Sequence, residues 1–127
     1  MVVRLDPQRI EGHLQLGDVR TMRKDDAGAE ACYRRVIELK PDHALAHYSL
    51  GQCRLRQQDP AGAAEEFRAA LRYRPDMADA HVALAEVLLA QGKTAEARDH
   101  LEGALLLAPK HEKARQLMQK AKADPAK

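Results

Sequence analysis

Apolar residues along this chain recur at spacings of three, four and seven, the period of one face of an α-helix. The strict alternation of a half-buried strand is absent. When three units are counted from Ile10, Ala44 and Ala78, their fourth, seventh, eighth and eleventh positions fall on one such face. The twentieth, twenty-fourth, twenty-seventh and twenty-eighth fall on another. Between the two faces stand Lys24 to Asp26, Asp59 and Pro60, and Gly92 to Thr94. There an acid or hydroxyl can cap the second helix, and proline suits its first turn. The pattern predicts an all-α chain with helices near 8–22, 26–40, 43–57, 60–73, 77–91, 94–107 and 110–123.

The units are copies of one template. Pro7, Pro41, Pro75 and Pro109 are thirty-four residues apart, and the intervening columns agree. The seventh position reads Leu16, Leu50, Leu84 and the eighth Gly17, Gly51, Ala85. The twentieth is Ala29, Ala63, Ala97, the twenty-fourth Tyr33, Phe67, Leu101, and the twenty-eighth Ile37, Leu71, Leu105. Small residues on both helices let two backbones approach while the larger ones fill the space beside them. One helical hairpin cannot bury its apolar face alone, so the hairpins must stack. The expected layout of this single domain, 1–127, is repeats at 8–41, 42–75 and 76–109, a capping helix at 110–123 and a tail at 124–127. Residues 1–7 read as the last turn of a preceding second helix, with Val3 in the column of Ile37 and Leu5 in that of Leu39. In the capping helix Ala114 and Met118 should face inward, with Arg115, Gln119 and Lys122 toward water.

On the period, the Leu-Gly pairs at 16–17 and 50–51, the alanines at 29, 63 and 97, the large apolar residues at 33, 67 and 101 and the closing prolines, the chain resembles the tetratricopeptide repeat (TPR) family. The resemblance implies a right-handed superhelical solenoid of three TPR repeats plus the capping helix. It also implies that the first helices of the repeats line a concave groove that binds peptides or protein segments. Two features depart from the family. The aromatic common at the fourth position is replaced by His13, His47 and His81. Asparagine is absent, and the places of the family's chaperone-binding clamp hold Leu14, Asp18, Ser49, Asp79 and Ala83. Acidic chaperone tails would meet repulsion there.

A helical wheel places the second, fifth, ninth and twelfth positions of each first helix about 120° from the core stripe, toward that groove. Its apolar floor is expected at Leu14, Tyr48 and Val82, with Thr21, Leu55 and Leu89 beyond. Glu11, Asp18, Asp79 and Glu86 add acid, Gln52 lies between, Arg56 stands at the margin, and Lys113, Gln116 and Lys120 make the C-terminal end basic. The expected partner is a protein or peptide with apolar anchors and basic flanks, and Tyr48 is the expected central anchor. Against this stands a floor covered by the chain's own helices. Two other roles stay open: self-assembly through an uncapped N-terminal hairpin, and a regulatory repeat module of a larger protein.

Candidate chemistry changes little. The three fourth-position histidines invite a metal or pH-sensing reading, but that position points between the helices of its own hairpin, which favours flat rings in the core. His43 and His47 have chelate spacing without an evident third ligand, so no metal and no cofactor are expected. Cys53, aligned with Val19 and Val87, reads as a small buried hydrophobe, and Cys32, aligned with Glu66 and His100, as an exposed thiol. Neither has a placed base, no nucleotide or nucleophile motif occurs, and carboxylates alternate with bases along helix surfaces, so an enzyme is not expected.

Composition excludes further classes. With 45% hydrophobic and 31% charged residues in 127, the chain carries enough apolar surface for one continuous core. A net charge of +2 and four scattered aromatics, Tyr33, Tyr48, Phe67 and Tyr73, do not make a nucleic-acid surface. No apolar run could span a membrane and MVVRLDPQ lacks a secretory apolar core, so the cytoplasm is the default expectation. Richness in arginine and alanine points to a GC-rich bacterial source.

Overall fold

The computed structural model describes residues 7–123, so Val3 and Leu5 lie outside it. It contains α1 (Pro7–Met22), α2 (Asp26–Leu39), α3 (Ala44–Arg56), α4 (Pro60–Tyr73), α5 (Ala78–Ala90), α6 (Thr94–Leu107) and α7 (Glu112–Ala123). These limits lie within two residues of the expected ones. Each helix packs chiefly on its chain neighbours, and α5 also reaches α7, so three hairpins and a final helix stack in chain order. Among the described residues no helix is long and apolar enough to cross a membrane.

Turn chemistry repeats with the period. Lys24, Gln58 and Gly92 each take a positive φ, of 63°, 62° and 78°, the left-handed conformation that reverses the chain after a helix. Only the third has the residue that adopts it without steric cost. Asp25 and Asp59 then cap α2 and α4, their Oδ1 atoms accepting from the Gly28 and Gly62 amides at 3.0 Å. The expected hydroxyl cap at the third turn does not form. Lys93 occupies the cap position without a side-chain bond, and Thr94 is already the first helical residue, buried.

Hairpin closure follows the small residues. A Cβ placed on Gly17 would lie 2.7 Å from the Tyr33 ring, and one on Gly51 would lie 2.5 Å from the Phe67 ring. The third hairpin has Ala85 where the facing residue is the smaller Leu101, both buried. One buried cluster joins Leu14, Ala29, Tyr33, Val36, Ala46, Leu50 and Cys53. A larger one runs from Ala63 and Phe67 through Leu84 and Leu88 to Leu101, Met118 and Ala121. In α7, Ala114 and Met118 face this core and Arg115, Gln119 and Lys122 face water, as the sequence leads one to expect.

Two expectations fail, each for a positional reason. Cys32 is not exposed; only 4% of it is accessible, because its column lies inside the hairpin, where the Arg20 guanidinium donates to its Sγ at 3.4 Å. Leu16 is not core. It is 42% exposed and Val19 43%, although their counterparts Leu50, Cys53, Leu84 and Val87 are buried. Those counterparts are covered by the second helix of the preceding hairpin, and no described helix lies in that place over α1.

Candidate functional site

The first helices α1, α3 and α5 are followed by the cap α7, and polar contacts tie α7 to α5. The His111 Nε2–H donates to Asp79 Oδ1 at 2.8 Å, joining the start of α7 to α5. The same ring caps α7, its Nδ1 accepting from the Ala114 amide at 3.2 Å, which assigns the proton to Nε2. Lys113 Nζ reaches Glu86 Oε1 at 3.0 Å between α7 and α5. Below these ties Glu86, Leu89 and Ala90 meet Leu117 and Lys120 around a cleft of about 340 Å³, apolar on its walls and charged at its mouth.

The residues expected on this surface divide by depth. Leu14 and Val82 are packed into the core, with 9% and 3% exposed. Tyr48, Leu55 and Leu89 lie half-buried; the latter two and the Tyr48 ring rest on the core cluster. The Tyr48 ring sits 5.8 Å from that of Phe67, and its hydroxyl accepts from Gln52 Nε2 at 2.8 Å. Burial pushes the Tyr48 hydroxyl above the usual phenol pKa, so it stays protonated. Asp18 is exposed and accepts at 2.6 Å from the Tyr33 hydroxyl, whose pKa burial and this bond push up to about 12. Tyr33 belongs to α2 and reaches Asp18 across Gly17, where a side chain would block it. Arg56 turns away from this surface to Asp26 of α2, at 2.7 Å. The structure therefore groups Glu86 and Leu89 at the cleft, pairs Tyr48 with Gln52, and leaves Arg56 apart.

His111 and Leu117 join the site without having been expected there. Repeat register could have found His111, since it lies two periods after His43, which caps α3 through the Ala46 amide at 3.1 Å. Leu117 has no such signal; its side chain matters only because α7 bends onto α5.

His47 and His81 of the histidine column are partly buried rings that also make hydrogen bonds. The Nε2–H groups of His47 and His81 donate to the Pro41 and Pro75 carbonyls at 2.8 and 2.9 Å. His47 Nδ1 lies 2.9 Å from Glu66 Oε1. In His81 the carbonyl bond fixes the proton on Nε2, so Nδ1 accepts from the His100 Nδ1–H at 3.0 Å. Each pair offers two donors, and among the described residues no group of three side chains suited to a metal ion occurs.

Acid should loosen these elements. Burial, aided by Lys40 and Arg74 against Asp42, holds His43 below its usual pKa of 6.5. Burial and His81, with Arg68 against Glu96 and Asp99, do the same for His100. A folded pKa below the unfolded one means that the unfolded chain binds more protons, so stability present above pH 6.5 is lost as pH falls through the folded values. Thermal melts between pH 7.5 and 5 should show that loss, and His43→Asn, which keeps a capping side chain, should flatten it. An unchanged pH profile in this variant would remove His43 from the account.

Family descriptions named Tetratricopeptide repeat match residues 54–121 and 25–72. No curated protein matches the chain in sequence. Among solved structures, the first TPR of Spaghetti (RPAP3), bound to the HSP90 peptide SRMEEVD, is similar with a TM-score of 0.90 at 18% identity, covering 96% of this chain and 97% of that one. The second TPR domain of human RPAP3, in complex with an HSP70 peptide, gives 0.84 at 22% identity, over 91% and 96%. The O-GlcNAc transferase of Thermobaculum terrenum gives 0.85 at 26% identity over 95% of this chain, which spans 23% of that one.

Proposed function

The chain belongs to the tetratricopeptide repeat family, and from that premise we propose that it is a non-catalytic scaffold binding a peptide or helical segment along α1, α3, α5 and α7. One observation carries the reading. Tyr48, Leu55 and Leu89 of the first helices are only partly buried against the core, and Glu86 and Leu89 line a cleft with Leu117 and Lys120. Gln52 holds the Tyr48 hydroxyl and so orients its ring. Leu14 and Val82, both buried, would support this row from beneath, and Arg56, held by Asp26, takes no part in it. Apolar anchors would seat on the half-buried side chains while lysine or arginine flanks meet the acids.

The peptides held by the two RPAP3 domains end in Glu-Glu-Val-Asp. A tail of that sign would face Asp18, Asp79 and Glu86 here, so the partner proposed for this chain carries the opposite charge.

A synthetic helix with leucine anchors flanked by lysines should bind more tightly than its charge-inverted counterpart, and more weakly as salt rises. Asp79→Asn with Glu86→Gln should reduce its affinity on the order of five- to tenfold without altering fold. Tyr48→Ala should cost about tenfold in affinity, measured well below the melting temperature because the ring also packs on Phe67. Equal binding of the charge-inverted peptide would sink the electrostatic part, and intact affinity in Tyr48→Ala would make that ring core alone.

A further inference from the structure

The cleft between α5 and α7 follows from two columns of the repeat. At the thirteenth position, where α1 has Met22 and α3 has Arg56, α5 ends on Ala90, so no long side chain enters the space from there. At the sixth, where the repeats carry Gln15, Ser49 and Ala83, α7 carries Leu117, which lines the cleft together with Leu89 of α5. Both leucines are only partly buried and rest on the core cluster. The result is an apolar space of about 340 Å³, room for a leucine or phenylalanine side chain.

A third column sets the charge at its mouth. The ninth position is acidic or neutral in the repeats, at Asp18, Gln52 and Glu86, and basic in α7, where Lys120 lines the same cleft. Glu86 is held by Lys113 at 3.0 Å, whereas Lys120 is exposed and, among the described residues, makes no ion pair. Two bases therefore stand beside one acid. The unmatched charge at the cleft is positive, opposite in sign to Asp18 and Asp79.

We infer that this cleft selects the partner: it takes one leucine- or phenylalanine-sized side chain of the bound polypeptide, and an aspartate or glutamate beside that side chain meets Lys120. The inference rests on the reading of the chain as a peptide scaffold and gives its ligand a polarity, basic over the repeats and acidic at α7. An apolar anchor entering a concave, partly desolvated space supplies affinity. The neighbouring charge supplies choice, because a lysine at that place would meet Lys113 and Lys120 together.

Three synthetic helices titrated into the intact protein test this. One is the lysine-flanked leucine helix; in the other two, the lysine beside its first or beside its last leucine is replaced by glutamate, so that either direction of binding is covered. One of the glutamate helices should bind about three- to fivefold more tightly than the parent, as expected of an exposed ion pair gained. Its binding should shift the methyl resonances of Leu89 and Leu117. Lys120→Glu should reverse the order of the glutamate helix and the parent. Ala90→Met, which gives α5 the residue that α1 has at the same place, should fill the cleft and weaken all three by about tenfold, with the melting temperature unchanged. If neither glutamate helix exceeds the parent, or if Ala90→Met binds all three at full strength, the inference is overturned while the scaffold reading stands. An unchanged order in Lys120→Glu overturns it as well, by assigning the preference to another base. Should none of the three bind, both readings fall.

Discussion

Replacing Phe67 by alanine is expected to remove about 3 to 5 kcal/mol of folding stability, the usual cost of deleting a fully buried aromatic ring and leaving its cavity. Phe67 is completely buried on α4, its ring pressed on the Gly51 backbone of α3 and 5.8 Å from the Tyr48 ring. Its buried neighbours on its own helix, Ala63, Ala64 and Ala70, are too short to fill the space. Because a domain of this kind has in total roughly 5 to 15 kcal/mol, the variant should unfold at much lower denaturant. Equilibrium denaturation with an unchanged slope would show it; a loss under about 1 kcal/mol would mean that α3 and α4 close around the gap. Tyr48 loses its support in the same variant, so peptide affinity should fall as well.

The second large effect comes from the other side of the same contact. Gly51→Ala places a Cβ 2.5 Å from a ring carbon that has nowhere to go. Overpacking costs about 1 to 3 kcal/mol, while alanine regains up to about 1 kcal/mol of helix propensity over glycine, so a net loss is expected. The third hairpin supplies the cure. It pairs Ala85 with Leu101 where the second pairs Gly51 with Phe67, each pair filling one crossing. Phe67→Leu alone should also destabilise by cavity formation, but Gly51→Ala combined with Phe67→Leu should be more stable than the sum of the two losses by on the order of 1 kcal/mol or more. Simple additivity in the double-mutant cycle would disprove the claim that these two positions share one volume.

Both columns of that pairing stand in the sequence, but reading it set the eighth position against the alanines of the twentieth, and only the structure brings it onto the ring of the twenty-fourth. Period, helices and hairpin turns agree with the sequence reading, and the eighth column is smallest where the twenty-fourth carries a ring. Capping was only two-thirds legible: Asp25 and Asp59 perform as acids should, but Thr94 entered the helix instead of capping it. The candidate surface was less visible. A wheel places Leu14, Tyr48 and Val82 on one line, yet the line runs along a curved wall. Leu14 and Val82 sink where adjacent helices close, and Tyr48 stays half-open on Phe67. The partner of Arg56 was unforeseen, and Cys32 misjudged, for the same reason. Each is polar or reactive on paper, and each is claimed by a neighbour, Asp26 or Arg20, thirty and twelve residues away in sequence.

The sequence by itself determined the all-α class, the thirty-four-residue hairpin, the order of stacking and the inward face of α7, since each follows from periodicity and side-chain size inside a unit. Tertiary structure alone decided which copies of a shared column are buried: Leu50 and Leu84 lie under a preceding helix while Leu16, the same residue in the same register, meets solvent. It also decided where α7 meets α5 to make the cleft, and that Asp79 and Glu86 are tied to His111 and Lys113. The physical reason is that burial belongs to a pair of surfaces. A repeat encodes its own half of every interface, and the other half is fixed only when the neighbour arrives.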